Sequence, residues 1–137
     1  MSENHAEVVR RFVEALVSGQ DEDYWQQVLA DLDNDVAVDD LDISLDTERY
    51  RGYDEFLRWI ADWSESWGSW RIDGVEVRPA GDGQLVALFV MHVAGRGSGI
   101  ELSRQDAMVF TLREGKIAHI VYYNDQQEAL KAAGLAE

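Results

Sequence analysis

Cysteine is absent from all 137 residues, so no disulfide, thiolate metal site or cysteine nucleophile can be built. Proline occurs once, at Pro79, and no stretch has the glycine- and serine-rich composition of a linker. Basic residues are scarce: 12 Lys and Arg stand against 27 Asp and Glu, for a formal charge of −15. A surface this acidic repels phosphate backbones, which argues against nucleic acid as a partner. The acids are spread along the chain, so the charge suits a solvated surface rather than an acidic tail, and a substrate should be neutral or weakly charged. No apolar run approaches the roughly 18 residues of a membrane span, and no basic segment with an apolar follower opens the chain. The expectation is a cytoplasmic protein forming one domain over residues 1–137, long enough to bury a core.

What the chain has in quantity is apolar periodicity. Ser2 or Asn4 can cap a first helix on which Val9, Phe12, Val13 and Leu16 share a face, and Gly19 ends it. Asp21 can cap a second, with Trp25, Val28, Leu29 and Leu32 as its stripe. Residues 35–41 then alternate as a strand whose one face carries Val36, Val38 and Asp40, so a core position for the valines brings Asp40 inward. Residues 42–52 read as a loop. A third helix over 53–67 carries Phe56, Ile60, Trp63 and Trp67, flanked by Leu57 and Trp59. From Trp70 the period is two. Trp70 and Ile72 give way to Val75 and Val77 across Gly74, which predicts a bulge. Residues 84–94 form an apolar run suited to a strand buried on both faces, and strands 101–112 and 116–124 follow the Gly-rich turn at 95–99. Asp125 and Glu128 fit a capping box for a short last helix that Gly134 ends. The fold class is α+β: ααβα, four antiparallel strands, and a small helix.

Arg113-Glu114-Gly115 suits a three-residue hairpin loop with Gly115 as a bulge, which would set Leu112 opposite Lys116. Phe110 then faces Ala118, Met108 faces Ile120, Asp106 faces Tyr122 and Arg104 faces Asn124; a two-residue loop would move this pairing by one. Met108, Phe110 and Ile120 mark the core face, and the period of two carries Arg104, Asp106, Tyr122 and Asn124 to the same side. The other face holds Ala107, Val109, Thr111, Ile117, His119, Val121 and Tyr123, apolar enough to predict a homodimer through it. A stable monomer in light scattering at micromolar concentration would contradict that pairing.

These features resemble the nuclear transport factor 2-like superfamily and its SnoaL-like group. The carriers are the helical hairpin, the Asp35-Val-Ala-Val-Asp-Asp strand, Tyr50-Arg-Gly, Gly95-Arg-Gly-Ser-Gly, Thr111-Leu-Arg-Glu-Gly-Lys-Ile, Tyr123-Asn-Asp and Glu128-Ala-Leu-Lys-Ala-Ala-Gly. The resemblance covers nearly the whole chain and implies a cone, a curved sheet wrapped round helices with a deep apolar pocket. The fold hosts isomerases, dehydratases, cyclases, epoxide hydrolases and plain binding domains, so it does not choose among them. The ketosteroid isomerases of this fold place a carboxylate base at the end of the first strand, which matches Asp40. Their two oxyanion donors fall at positions resembling Phe12 and Met108, which cannot donate. Cyclases and epoxide hydrolases of the group keep an acid on the last strand where this chain has Tyr122, and the hydrolases' Asp-Arg-Asp triad is not recognisable.

Asp40 is the first candidate, as a base whose pKa an apolar cone would raise; the alternative is a solvated rim residue. Asp106 can serve as the acid or base opposite it, with Tyr122 as a second proton donor, or can simply be neutralised by Arg104. Arg104 and Asn124 are expected to orient a substrate carbonyl, hydroxyl or carboxylate. Trp59, Trp63, Met108, Phe12 and Ile120 form the expected apolar wall. His92 lies on a strand with two apolar faces and reads as a core residue, while His5 and His119 are remote from it, so no metal site is expected. Gly95-Arg-Gly-Ser-Gly opens no helix and cannot cradle a phosphate. No cofactor is implied. The expected function is acid/base chemistry on an apolar cyclic metabolite; the alternatives are a non-catalytic ligand-binding domain and a cone filled by its own side chains that serves for association.

Overall fold

The computed structural model describes residues 2–18, 28–40, 48–81, 83–95 and 99–135; the side chains of residues 2–4, 15–18, 48, 49 and 63–69 are outside the description. In chain order the elements are α1 (Ser2–Ser18), β1 (Leu32–Asp40), β2 (Glu48–Arg51), α2 (Gly52–Ser66), β3 (Trp67–Pro79), β4 (Gln84–Gly95), β5 (Glu101–Arg113), β6 (Lys116–Tyr123) and α3 (Gln126–Ala132). The six strands form one curved, unclosed sheet in the order β2-β1-β6-β5-β4-β3. All neighbours are antiparallel except β1 and β6, which run parallel. Strand bulges add local twist and bend, and they occur here in β3 and between β5 and β6. The expected α+β cone is therefore present.

The principal core lies between the sheet's inner face and the two long helices. Val9, Phe12 and Val13 come from α1 and Phe56 and Trp59 from α2; Val36, Val38, Phe89, Met108, Phe110, Ile120 and Tyr122 come from the strands. The α1 spacing of three and four residues puts its apolar side chains on one stripe, as expected. On β4 the odd residues Leu85 to Val93 enter this core, while Val86 and Leu88 enter a second cluster on the outer face. The strand expected to be buried on both faces is so from Leu85 to Phe89; beyond that its outer face, with Val90 and His92, is partly exposed. Gly74 has φ 60 and the β3 register shifts between Asp73 and Glu76, so the expected bulge is present as well.

Three expectations about elements are corrected. Of the second helix, residues 19–27 lie outside the described residues; 28–30 are helical, but Leu32 opens β1 instead of continuing the stripe. Its carbonyl accepts from the Tyr53 hydroxyl at 2.9 Å, and its side chain is fully buried. Residues 48–51, expected in a loop, pair with β1 as an edge strand, Tyr50 opposite Val38. Trp67 begins β3 and so leaves the α2 stripe on which it was placed.

The hairpin register is the fourth correction. Glu114 and Gly115 have φ 54 and 78, both positive, the geometry of a two-residue type I′ loop whose twist matches that of the strands. Arg113 therefore pairs with Lys116 and Leu112 with Ile117. A bulge follows, leaving Ala118 as the extra residue, so that Thr111 meets His119, Phe110 meets Ile120 and Met108 meets Tyr122. Turn and bulge each displace the expected pairing by one residue in the same direction. Two such steps restore the parity of the pleat, so Met108, Phe110, Ile120 and Tyr122 still face inward. Ile117 sits between the two steps. It was expected on the outer face and is instead fully buried in the core.

Ion pairs fasten these parts at the rim. The Arg11 guanidinium binds Asp31 through Nε (3.2 Å) and Nη2 (3.1 Å), and the Asp31 carbonyl accepts from Ile117 N–H at 2.9 Å. The Asp35 backbone N–H, then Arg113, hold the Asp33 carboxyl below the usual carboxylate range. Among the described residues no helix is long and apolar enough to cross a membrane.

Candidate active site

The alternation that puts Val36 and Val38 into the core ends on Asp40, which is only 1% exposed. Parallel pairing sets Asp40 beside Tyr122 of β6. From α2 the Trp59 indole N–H donates to Asp40 Oδ2 at 2.5 Å. This buried contact holds one oxygen of the Asp40 carboxyl group in a fixed place.

Tyr122 connects Asp40's neighbourhood to a second carboxylate. Its cross-strand partner is Met108, so Asp106 lies one inward-facing step further along β5, within diagonal reach of a long side chain. The Tyr122 hydroxyl donates to Asp106 Oδ2 at 2.5 Å, and Arg104 Nη2 donates to the same oxygen at 2.8 Å. Asp106 is 0% exposed, while the Arg104 side chain keeps 26% exposure and so spans from the interior to the surface. Trp59 and Phe89 pack edge-on against the Tyr122 ring at centroid distances of 6.5 and 6.1 Å.

The structure thus brings together Asp40, Trp59, Tyr122, Met108, Asp106 and Arg104. Phe12 and Ile120 lie against Phe110 in the core, Phe12 at a ring distance of 5.5 Å and Ile120 as its cross-strand partner. The Trp63 side chain falls outside the described residues. Asn124 does not face Arg104: β5–β6 pairing ends at Ala107 and Tyr123, and Arg104 pairs with Met91 instead. Asn124 and Arg104 both line an open cavity of about 360 Å³ beside the start of α3.

Two contributors escaped sequence reasoning. Phe89 was visible only as one apolar residue among many in β4. Gln126, the first residue of α3, donates its side-chain amide to the carbonyls of Phe89 and Asp106, both at 3.1 Å. Its one signal was its place after the cap Asp125, whose carboxylate accepts from Gln127 N at 2.8 Å and Glu128 N at 3.4 Å.

The outer face differs from expectation in part. Ala107 and Val109 are covered by Ala129 of α3 and Ala133 at its C-cap, so the chain itself supplies some of the cover assigned to a second copy. Thr111, His119, Val121 and Tyr123 remain partly exposed. His119 Nε2 lies 2.9 Å from Asp39 Oδ2, and burial, then the Glu128 and Asp39 charges, push the Tyr123 hydroxyl's pKa up. His92 also faces outward rather than into the core. Among the described residues no group of three or more His, Cys, Asp or Glu could hold a metal ion.

A curved six-stranded sheet wrapped on helices, with polar groups gathered at the ends of β1, β5 and β6, defines a protein of the nuclear transport factor 2-like cone class. The chain belongs to the SnoaL-like domain family, whose model matches residues 9–120. Among solved structures it is similar to a provisionally named polyketide cyclase from Xanthomonas campestris pv. campestris, with a TM-score of 0.75 and 21% identity over 96% of this chain and 97% of that one. TerC, co-crystallised with polyporic acid, gives a TM-score of 0.75 at 13% identity over 96% and 98%. A provisionally named SnoaL-like polyketide cyclase from Jannaschia sp. CCS1 gives 0.70 at 18% over 98% and 94%. At these identities the similarity is one of fold. No curated protein matches the sequence.

Proposed function

We propose that this chain binds an apolar, cyclic small molecule in its cone and performs acid/base chemistry on it without a cofactor, as an isomerase, cyclase, dehydratase or epoxide hydrolase does. The observation that carries the proposal is the pair of buried carboxylates, Asp40 and Asp106, 1% and 0% exposed, on either side of Tyr122. Buried carboxylates lower stability unless they are paired, and a core built for stability alone would place apolar side chains there. Two such groups in one low-dielectric region tend to divide their protonation states, one serving as base and the other as acid. Asp40 is the proposed base, one of its oxygens held in place by the Trp59 indole. Tyr122 is the proton donor, coupled to Asp106, and Arg104 balances the charge that Asp106 would otherwise carry alone. Met108, Trp59 and Phe89 supply the apolar wall that excludes water. The co-crystal of TerC with polyporic acid and the names of the cyclase-like structures support a small organic ligand for this fold.

A second reading, a non-catalytic ligand-binding domain, is favoured by one specific observation. The positions resembling the isomerases' oxyanion donors hold Phe12 and Met108, 1% and 0% exposed, which contribute packing and nothing else. Both readings require a ligand. Mass spectrometry of the compound released when purified protein is denatured should find an apolar cyclic molecule in stoichiometric amount. Protein that carries none, and whose tryptophan fluorescence is unchanged by polycyclic probes, would contradict both.

A further inference from the structure

Outside the cone, on the opposite face of the sheet, pairing assembles a second set of reactive side chains. Arg71 of β3 lies beside His92 of β4, and His92 beside Ser103 of β5. Cross-strand partners share a face, and a step of two residues along β3 returns Asp73 to it. His92 Nδ1 lies 2.8 Å from Ser103 Oγ, and His92 Nε2 lies 3.1 Å from Asp73 Oδ2. Arg71 Nη2 is 3.4 Å from the same Asp73 oxygen. A carboxylate can only accept, so the neutral imidazole carries its proton on Nε2; its Nδ1 lone pair then receives the Ser103 hydroxyl hydrogen. The result is a serine hydroxyl bonded to a base that a carboxylate orients, the arrangement that activates a serine as a nucleophile. Compared with the usual serine hydrolase order the two ring nitrogens are exchanged, which leaves the relay intact because either nitrogen can accept while the other donates. The row opens on a cavity of about 210 Å³ lined in part by Trp70, Arg71, His92, Leu102 and Ser103.

We propose that Ser103 is the nucleophile of a second site, independent of the cone, that hydrolyses small uncharged esters. The cavity is below the roughly 300 Å³ at which drug-sized pockets begin, so it admits a short acyl group beside Ser103 and Arg71. Ser103 Oγ bonds to the carbonyl carbon as its proton passes to His92 Nδ1, and Asp73 holds the resulting imidazolium. The Arg71 guanidinium places positive charge in the same cavity, where the carbonyl oxygen becomes negative. Collapse breaks the carbon–oxygen bond to the alcohol, which leaves with the proton from Nδ1. Water, deprotonated by the same nitrogen, then cleaves the acyl-serine to the carboxylic acid and restores the hydroxyl. The net reaction is ester plus water to acid plus alcohol.

The probe is p-nitrophenyl acetate with the full chain. Tandem mass spectrometry of quenched samples should find the acetyl group on Ser103, with p-nitrophenolate released in parallel. His92→Gln should slow acetylation about 100-fold, at the lower end of what a positioned base contributes, and Ser103→Ala should abolish acetylation of the peptide ending at Arg104. His92 and Ser103 are partly or fully solvent-exposed, so both variants should keep the circular dichroism spectrum of the parent. Acetylation confined to other residues, or an unchanged rate in His92→Gln, would overturn the proposal.

Discussion

Phe12→Ala should lower the unfolding free energy by about 3–5 kcal/mol, the cost of removing a fully buried phenylalanine from a packed core. Phe12 is 1% exposed and stands where α1 meets both α2 and the sheet. Its ring lies 5.9 Å from Phe56 and 5.5 Å from Phe110, tilted by 58° and 75°, so truncation loses one tilted and one edge-on aromatic pair as well as the buried area. Phe56 in turn packs on Trp59 at 5.8 Å, which donates to Asp40. Loosening at Phe12 is thereby passed to the carboxylate. A domain of this size has about 5–15 kcal/mol to lose, so the variant should sit near the folding threshold. Phe12→Leu, which keeps most of the volume, should lose far less. Denaturant midpoints at unchanged slope measure both changes. A Phe12→Ala loss under about 1 kcal/mol would contradict the packing described.

Arg104→Met should be the next most damaging change. It keeps the length and the apolar stem but removes the cation bonded to Asp106 Oδ2 at 2.8 Å. Breaking a buried pair from one side costs about 3–5 kcal/mol because a charge stays behind in the interior. With 26% of the Arg104 side chain exposed, the low end, about 3 kcal/mol, is expected at neutral pH. Without the cation, burial disfavours the charged form of the Asp106 carboxyl group. The penalty belongs to the unpaired carboxylate and is lost when acid protonates it, so variant and parent converge on acidification. Adding Asp106→Asn should recover most of the loss at neutral pH. Urea titrations of the single and double variants at neutral and acid pH measure the cycle; a pH-independent gap would rule out the charge as its cause.

How far the chain could be read depended on whether a feature was local. Asp40 was legible because Val36, Val38 and Asp40 share one phase of a strand, and the Gly74 bulge because the phase changes across a residue without a side chain. Face assignment in the hairpin held despite an error in register, since two single-residue displacements restore the pleat's parity. Ile117, caught between them, could not be placed without knowing the bulge. The Glu48–Arg51 strand was hidden by the charges that suit an edge strand and that also make a segment look like loop. Tyr122 and Asp106 were expected as direct partners; they touch diagonally, because Tyr122 is long enough to reach past Met108. The Asp73–His92–Ser103 row needs three strands in register across a bulge and a Gly-rich turn, and no local pattern in the chain encodes that.

The central claim is that Asp40 takes a proton from a molecule bound in the cone, and the kinetics of Asp40→Asn test it most directly. An asparagine oxygen can still accept from the Trp59 indole, so the fold and the bound pose should persist while the base is lost. With the compound identified from the purified protein as substrate, single-turnover rates for Asp40→Asn should fall at least about 100-fold with binding little changed. Turnover that continues undiminished in Asp40→Asn and again in Asp106→Asn would contradict the mechanism.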